Sequence, residues 1–488
     1  MNNLKSKGTK AFLWDIIGKF AKNGISFIVM IFLARLLEPS DFGLIAMIMV
    51  IVGIAQIFSD IGLGSALIQR RHILPIHYSS VFYFNIVSAF ALTLIVYFSA
   101  SSIGKFYNNP DIVPLAQVIS LAFFIDALSS VQNIKLRKEL DYALMTKLNL
   151  ISSFTSGIIG ITLAFNNAGV WSLVAQVLSQ GFIYAFLVWG AARWRPTAQF
   201  SLKALFQLWG FGFRMFLSGI LETLFTRLDY ILIGKLFSPA VLGFFQQAMS
   251  LNSIVIQYSS GSLMAVLFPV LSKIQKDLIR FQNVIRKAFA VICFIDFLIL
   301  GGLYVTANEL IVLIFGAKWE PSVYYFKILA LSGFAYPISA LLVNILSSRG
   351  NSKAFLRLEI YKKILIVGNF FVLYFYGLDP FLYGLIVTSV IGVALNIFAA
   401  SKEIHLPSRL FIRPLLSQAS IAVISVTITI FSVQHIHISL ILMFLIQGIL
   451  YLCYYFFLSW VFKTTSFAEI LEQIQPYYKK IIRMKEIS

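Results

Sequence analysis

Charged side chains are scarce in this sequence. Only 12% of its 488 residues are Asp, Glu, Lys or Arg, and 59% are hydrophobic, whereas soluble domains carry roughly 25% charged residues. A soluble chain of this composition would need many interior helices and would have too little polar surface to cover them. The composition therefore excludes an ordinary soluble protein.

Cysteine is almost absent. Cys293 and Cys453 both lie within apolar stretches, so the sequence indicates neither a disulfide framework nor a metal site. The five histidines are scattered, and the connections predicted to be cytoplasmic lack the glycine-rich motifs that bind nucleotide phosphates. We therefore predict no catalytic residue, no metal and no cofactor.

Apolar stretches long enough to cross a bilayer follow one another from residue 11 to residue 462. A membrane-spanning helix needs about 20 predominantly apolar residues. We expect the polar, basic residues 1–10 to precede the first span rather than to form a cleavable signal peptide. The pattern predicts an all-α polytopic membrane protein with about fourteen transmembrane helices, near 11–36, 41–68, 79–103, 111–134, 146–166, 168–192, 204–234, 240–269, 286–306, 321–348, 357–377, 380–401, 414–433 and 437–462.

Lysine and arginine concentrate in every second connection between these spans. The intervening connections hold only Arg35, Lys105, Lys235 and Lys318. Because positive charge accumulates on the cytoplasmic side, the alternation predicts that both termini are cytoplasmic. The net charge of +19 then sets topology and contacts anionic lipid headgroups, and we predict no nucleic-acid partner. In the longest outer connection, residues 309–315 are predicted to form a short interfacial helix.

One nine-residue motif occurs twice at an offset of 200 residues. Residues 35–43 are Arg-Leu-Leu-Glu-Pro-Ser-Asp-Phe-Gly, and residues 235–243 are Lys-Leu-Phe-Ser-Pro-Ala-Val-Leu-Gly. Proline and glycine in this arrangement favour a tight turn between two helices. Each copy joins the first two spans of a set of six, which predicts two six-helix lobes in parallel repeat. The predicted parts are an N-terminal lobe at 1–200, a C-terminal lobe at 201–402, two further helices at 403–463 and a cytoplasmic tail at 464–488.

Several ionisable side chains lie inside the predicted spans, where each costs about 2.5–3.5 kcal/mol on insertion scales. Asp60, Asp126, Asp296 and Lys19 lie nine or ten residues from a basic residue at the inner edge, which is roughly 14 Å at 1.5 Å per residue. That depth is near the middle of a hydrocarbon core about 30 Å thick. Charges from both predicted lobes therefore gather where transporter binding sites tend to lie.

Two interpretations of these charges are open. They are either buried ion pairs that fix helix packing, which we favour for the acidic residues, or the lining of a hydrated cavity that admits an anionic headgroup. We favour the cavity for Lys19, Lys22 and Arg214, because three bases at one depth suit a phosphate. Glu222 lies one repeat from Lys22, and we include it among the cavity candidates.

The remaining intramembrane charges are candidates for ion coupling or gating. They are Asp60, Asp126, Asp296, Asp229 and Arg227. Arg227 and Asp229 lie about 200° apart around a helix, so we do not expect them to pair with each other.

Two segments resemble the start of Wzx-type polysaccharide flippases. They are residues 34–44, Ala-Arg-Leu-Leu-Glu-Pro-Ser-Asp-Phe-Gly-Leu, and residues 60–70, Asp-Ile-Gly-Leu-Gly-Ser-Ala-Leu-Ile-Gln-Arg. Residues 227–234 and 316–319 are similar to the same family, in its subgroup of lipopolysaccharide or exopolysaccharide biosynthesis proteins. The resemblance extends to about residue 350 and is weak beyond it, and its superfamily includes multidrug extruders and lipid II flippases.

The resemblance implies two lobes around a central cavity that works by alternating access. It implies that an undecaprenyl-diphosphate-linked oligosaccharide is flipped from the cytoplasmic to the outer leaflet of a bacterial inner membrane. The product would serve synthesis of a surface polysaccharide such as O-antigen, exopolysaccharide or capsule. Ion gradients or the membrane potential drive some members. Membrane lipids are expected partners, and the polysaccharide polymerase and chain-length machinery are candidate partners.

Three other functions are open at this stage. An ion-coupled multidrug-type extruder of cations would need an acidic cavity, whereas the candidate face of the first helix is basic. A membrane-embedded glycosyltransferase or polymerase would need a catalytic group near the outer surface and a sizeable outer loop, and the outer connections are short. A structural assembly subunit would show no dependence on cargo.

Overall fold

The computed structural model describes residues 2–60, 62–70 and 72–472, and the side chains of residues 2–6, 9, 59, 60, 255–270, 272 and 352 lie outside that description. The described residues form helices and connections without any strand. The all-α class is therefore confirmed. Most of the predicted tail, residues 473–488, lies outside the described residues.

The helices follow one another through short connections, and a further helical stretch covers 465–472. In chain order they are α1 (Asn2–Leu36), α2 (Pro39–Asp60), α3 (Leu63–Gln69), α4 (Pro75–Tyr107), α5 (Ile112–Ile119), α6 (Leu121–Lys138), α7 (Tyr142–Phe165), α8 (Trp171–Ala191), α9 (Leu202–Leu236), α10 (Pro239–Ile274), α11 (Leu278–Val305), α12 (Ala307–Phe315), a 3₁₀ turn (Ala317–Trp319), α13 (Pro321–Gly333), α14 (Ala335–Ser348), α15 (Ser352–Tyr376), α16 (Leu378–Ile404), α17 (Arg409–Val433) and α18 (Leu440–Val461).

Twelve helical segments of the described chain are long and apolar enough to cross a membrane. The other two predicted spans fall on α10 and α15, which are long helices but are not among the twelve. Helix α15 carries Glu359, Lys362 and Lys363 within two successive turns, and this charge lowers its apolar character. The multi-pass architecture is confirmed, whereas the number fourteen is not. The short helix predicted at 309–315 is confirmed as α12.

The two copies of the repeated motif form the same local structure. Helix α1 ends at Leu36 and α2 begins at Pro39, while α9 ends at Leu236 and α10 begins at Pro239. Proline suits the first position of a helix because the amide hydrogen it lacks would have no partner there. The predicted turn is therefore present in both copies at the same offset.

Two spans that the sequence predicts as continuous are broken near their middle. Helices α5 and α6 meet at Ser120, whose carbonyl accepts a hydrogen bond of 3.0 Å from the Thr93 hydroxyl of α4. Helices α13 and α14 meet at Phe334, and Pro337 three residues later has no amide hydrogen to donate to the Gly333 carbonyl. In a membrane such breaks need a substitute partner inside the protein, and Thr93 provides one.

The chain divides into two compact units, a first unit that ends at Gln246 and a second unit that begins at Gln247. Within the first unit, α1 and α8 pack along α7, and α9 packs against α2, α3 and α4. Within the second unit, α11 packs against α17 and α18, and α16 packs against α14 and α15. The lobe limits inferred from the repeat stay a prediction.

Candidate functional site

A polar cavity of about 650 Å³ lies within the first unit, in the about 300–1,000 Å³ range of small-ligand sites. Helices α2, α6, α7 and α8 form most of its wall, and one residue each of α9 and α10 complete it. We call it the amide cavity, because neutral amides are prominent in its lining. Its polar side chains are Gln56, Asp126, Ser129, Asn133, Arg137, Asn149, Ser152, Gln180, Tyr184, Arg227 and Gln246.

The helical period brings the polar residues of α6 to this cavity. Asp126, Ser129, Asn133 and Arg137 are spaced by three or four residues, so they share one face of the helix. Tyr184 of α8 donates a hydrogen bond from its hydroxyl to Oδ1 of Asn133. Such amide and hydroxyl groups can donate and accept hydrogen bonds without carrying charge.

Asp126 has an amide partner rather than a base. Nε2 of Gln56 donates to Oδ2 of Asp126 at 2.8 Å, which joins α2 to α6. Gly181 of α8 lies beside the same carboxylate, since a Cβ there would be 3.5 Å from Oδ1. The ion pair expected for Asp126 is absent from the described residues, and its carboxyl group accepts a hydrogen bond from a neutral donor instead.

A second cavity of about 450 Å³ adjoins the first and is rich in basic groups. We call it the basic cavity. It is lined by Asp15, Gly18, Lys19, Lys22, Arg137, Tyr142, Met145, Thr146 and Asn149. Arg137, Met145 and Asn149 line both cavities. Three bases and one acid therefore surround a space that shares part of its wall with the amide cavity.

Helix α1 presents its charges here because it packs closely along α7. Gly18 faces Thr146, whose side chain would clash with a Cβ at residue 18, and the Thr146 hydroxyl donates to the Trp14 carbonyl at 3.1 Å. Nζ of Lys19 pairs with Oδ2 of Asp15 at 2.6 Å, and the Lys19 side chain is largely exposed. Lys22 is half-buried and is not committed to an acidic partner among the described ion pairs.

The structure brings together only some of the predicted site residues. Lys19 and Lys22 line the basic cavity, whereas Arg214 and Glu222 are exposed on α9 and line neither cavity. Asp126 and Arg227 both line the amide cavity.

The other coupling candidates lie outside these two cavities. Asp229 is half-buried, and its Oδ1 accepts a hydrogen bond of 2.9 Å from the Tyr230 amide. The Arg227 guanidinium lies 5.9 Å from the centre of the Tyr230 ring, a partner that the sequence did not suggest. Asp296 is buried in the second unit, and the side chain of Asp60 lies outside the described residues. Roles for all these residues stay predictions.

Sequence reasoning missed Arg137 and the neutral amides. Arg137 was assigned to topology, as one of several bases in a cytoplasmic connection, yet it is the basic residue shared by both cavities. The spacing of Asp126, Asn133 and Arg137 along one helical face was a usable signal. No comparable sequence signal pointed to the cavity residues Gln56 and Gln180, because single amides in apolar helices have no distinctive pattern.

Comparison with known proteins identifies relatives over most of the chain. A family model described as "Polysaccharide biosynthesis protein" matches residues 32–324. The chain is 24% identical over 372 residues to the lipopolysaccharide biosynthesis protein WzxC of Escherichia coli (strain K12), covering 75% of each protein. It is 25% identical over 327 residues to the succinoglycan biosynthesis transport protein ExoT of Rhizobium meliloti (strain 1021), covering 67% of this chain and 66% of that protein.

Solved structures share the fold at low sequence identity. A lipid II flippase MurJ in an inward closed conformation matches with a TM-score of 0.70 at 16% identity, covering 92% of this chain and 98% of that one. A multidrug resistance MATE family transporter in an inward-facing conformation matches with a TM-score of 0.59 at 16% identity, covering 78% of this chain and 95% of that one. Both likenesses concern the fold alone.

Proposed function

The chain belongs to the polysaccharide biosynthesis protein family, and on that premise we propose that it flips a lipid-linked oligosaccharide across the membrane for surface polysaccharide synthesis. The cargo is an undecaprenyl-diphosphate-linked repeat unit that moves from the cytoplasmic to the outer leaflet by alternating access. Relatives named for lipopolysaccharide synthesis and succinoglycan transport support this assignment. The observation that carries it is the basic cavity, which shares Arg137, Met145 and Asn149 with the amide cavity within an apolar chain.

The chemistry of the two cavities matches the two polar parts of such a cargo. Phosphate oxygens accept strong, charge-assisted hydrogen bonds from Lys and Arg, and Lys19, Lys22 and Arg137 line the basic cavity. Sugar hydroxyls both donate and accept, as do the amides and hydroxyls of the amide cavity. Arg137 lines both spaces, so it suits the junction between the diphosphate and the first sugar.

Arg214 and Glu222 stay in this proposal as residues of the translocation route in another conformation. Both are exposed on α9, a helix that packs against α2, α3 and α4 in this structure. Asp60, Asp126, Asp229 and Arg227 are proposed to act in coupling or gating.

The finer assignments follow from the same proposal. The protein is a multi-pass membrane protein, and we place it in a bacterial inner membrane with both termini in the cytoplasm on the distribution of Lys and Arg. It acts as a transporter and not as an enzyme. Its partners are the lipid-linked cargo and membrane lipids, with the polymerase and chain-length machinery as protein partners.

Disruption of the gene followed by analysis of lipid-linked intermediates tests the proposal. Complete repeat units should accumulate on the inner leaflet, where enzymatic probes reach them only after the cells are permeabilised. Restoring the wild-type gene or a Lys203→Ala variant should clear them, because Lys203 is exposed and lines neither cavity. A Lys22→Ala variant should leave them stranded. Unfinished sugars would point to an enzyme instead, and unchanged lipids to an extruder, and either result would overturn the proposal.

A further inference from the structure

The buried face of α18 is polar from Gln447 to Ser459. Gln447, Tyr451, Tyr455 and Ser459 are its buried residues, and their spacing of four places them on one side of the helix. The opposite side exposes large apolar residues such as Leu442, Ile449 and Trp460, as expected for contact with lipid. A hydrogen-bonding stripe inside a membrane protein is costly unless it has partners.

One end of this stripe is linked to a buried acid. Nε2 of Gln447 donates to Oε1 of Glu309 on α12 at 3.2 Å. Glu309 is 7% exposed, and its Oε2 has no hydrogen-bond partner among the described residues.

The other end is linked through α17 to the segment after α18. The Tyr455 hydroxyl lies 2.8 Å from Oε1 of Gln418, and Nε2 of Gln418 donates to Oγ1 of Thr464 at 3.0 Å. From Gln447 to Ser459 of α18 the rise is about 18 Å at 1.5 Å per residue. The polar line therefore covers more than half of a hydrocarbon core about 30 Å thick.

Asp296 lies on α11 beside the middle of this line. It is 4% exposed, and its Oδ2 has no hydrogen-bond partner among the described residues. The carbonyls that precede and follow it on α11, those of Phe294 and Phe297, are 3.0 and 2.8 Å from the hydroxyls of Tyr455 and Tyr451.

The elements packed against α11 provide no base beside Asp296 in the described chain. Helix α18 presents Tyr451 and Tyr455, α12 presents Glu309, and the buried faces of α14 and α17 carry no ionisable side chain. The helical stretch 465–472 packs on α11 through Phe467, which stacks on Phe294, and its Glu469 and Glu472 pair with Lys287 of α11. The Lys327 ammonium of α13 lies 5.4 Å from the centre of the Tyr304 ring. Tyr304 is eight residues after Asp296 in the sequence, so this base lies at a different level of α11. An isolated carboxylate in apolar surroundings is strongly disfavoured, whereas its protonated form is neutral and can donate a hydrogen bond.

We propose that Asp296 is a proton-binding site in the membrane, reached along the polar face of α18. The proton enters from water at one end of the line, forms the O–H bond of the Asp296 carboxyl, and leaves to water at the other end. Glu309 and Gln447 serve one end, and Tyr455, Gln418 and Thr464 serve the other.

This site goes beyond the proposed flipping of a lipid-linked sugar, because it assigns the ion that the protein carries. The proton site is defined without reference to the cargo. If the proton site is disproved, the flippase proposal still stands. If the flippase proposal is disproved, the proton site still stands.

Infrared difference spectroscopy of the full-length chain in lipid bilayers tests the site without any cargo. The wild-type protein should show the C=O stretch of a protonated carboxyl at neutral pH. Asp296→Asn should remove this band, Asp296→Glu should shift it, and Asp111→Asn, at an exposed position, should leave it unchanged. If both substitutions at 296 leave the band as it is in the wild type, the proposal is wrong.

The route is tested by the rate at which the same band shifts when H₂O is replaced by D₂O. Tyr455→Phe and Gln418→Leu should slow the shift several-fold, because each interrupts the line toward Thr464. Tyr454→Phe is the matched control, because it removes a hydroxyl from the adjacent residue. The Tyr454 hydroxyl lies 3.1 Å from the hydroxyl of Ser432, which is not part of the line. Equal rates for Tyr455→Phe, Gln418→Leu and Tyr454→Phe would contradict the route.

Discussion

Gly43 lies directly against the backbone carbonyl of Pro239, so that a Cβ on residue 43 would collide with the carbonyl oxygen. The relationship is reciprocal, because a Cβ on Gly243 would collide with the carbonyl of Pro39. Each copy of the repeated motif therefore supplies one glycine and one proline to the same contact. A contact in which residue i of one copy meets residue j of the other, and the converse, is the signature of two-fold symmetry.

We predict that Gly43→Ala and Gly243→Ala each lower the free energy of unfolding by about 1–3 kcal/mol, as overpacking against rigid backbone does. Thermal unfolding of the purified chain in a lipid-like environment measures the change. The matched control is Gly24→Ala in α1, where a Cβ would meet nothing within 4 Å. The control should be neutral or gain up to about 1 kcal/mol from helix propensity. Equal melting of Gly43→Ala and Gly24→Ala would show that the motifs do not touch.

The hydrogen bond from Gln56 to Asp126 gives a second prediction. Gln56→Ala should lower the free energy of unfolding by about 1–3 kcal/mol, because it leaves a charged acceptor without its donor. Gln434→Ala, at an exposed position beyond α17, should stay within about 0.5 kcal/mol of the wild type. Chemical unfolding of the two variants under identical conditions checks the difference, and a stability loss in both or in neither would argue against this bond.

Arg137 should matter for export far more than its neighbours on α6. Arg137→Ala should reduce export of repeat units about tenfold or more, because charge-assisted hydrogen bonds contribute about 1.5–3 kcal/mol, and Arg137→Lys should retain part of the activity. Lys135→Ala is the control. Lys135 is two residues away, pairs with Glu139 at 3.7 Å and lines neither the amide cavity nor the basic cavity. Surface polysaccharide per cell, normalised to protein level, is the readout. If Lys135→Ala is as damaging as Arg137→Ala, charge near the cytoplasmic surface matters and the cavity does not.

The orientation can be checked with single cysteines in a chain from which Cys293 and Cys453 have been removed. A cysteine at Asp111, in a connection predicted to lie outside, should react with a membrane-impermeant maleimide added to intact spheroplasts. A cysteine at Arg193, after α8, should react only after permeabilisation. Both positions are exposed. Reversed labelling would place the termini outside.

The long-range features of the fold were predictable where they depend on patterns along the chain. Apolar length predicted the multi-pass helical class but not a confirmed number of spans, and the turns at Pro39 and Pro239 followed from the repeated motif. The break at Ser120 was not predictable, because it depends on a hydrogen bond that the Thr93 hydroxyl of another helix donates to the Ser120 carbonyl. The same reason hid the partner of Asp126, since Gln56 is 70 residues away.

The candidate site was predictable only in part. The bases of α1 were found because three- and four-residue steps place Lys19 and Lys22 on one face. Arg214 has comparable chemistry but is exposed on α9 in this structure, and helical spacing does not report which face meets a cavity. Arg137 was obscured by the other bases at the end of α6.

The most direct test of the account is transbilayer movement of a prenyl-diphosphate-linked, radiolabelled sugar in liposomes that contain the purified full-length chain. An impermeant sugar-cleaving enzyme added outside reports the share of probe that reaches the outer leaflet, under a pH gradient of either sign. Liposomes with the wild-type chain or Lys203→Ala should expose nearly all of the probe, whereas the double variant Lys22→Ala, Arg137→Ala should leave the inner-leaflet share protected. A protected share that is unchanged by the wild-type chain, or equal exposure with the double variant, would contradict the account.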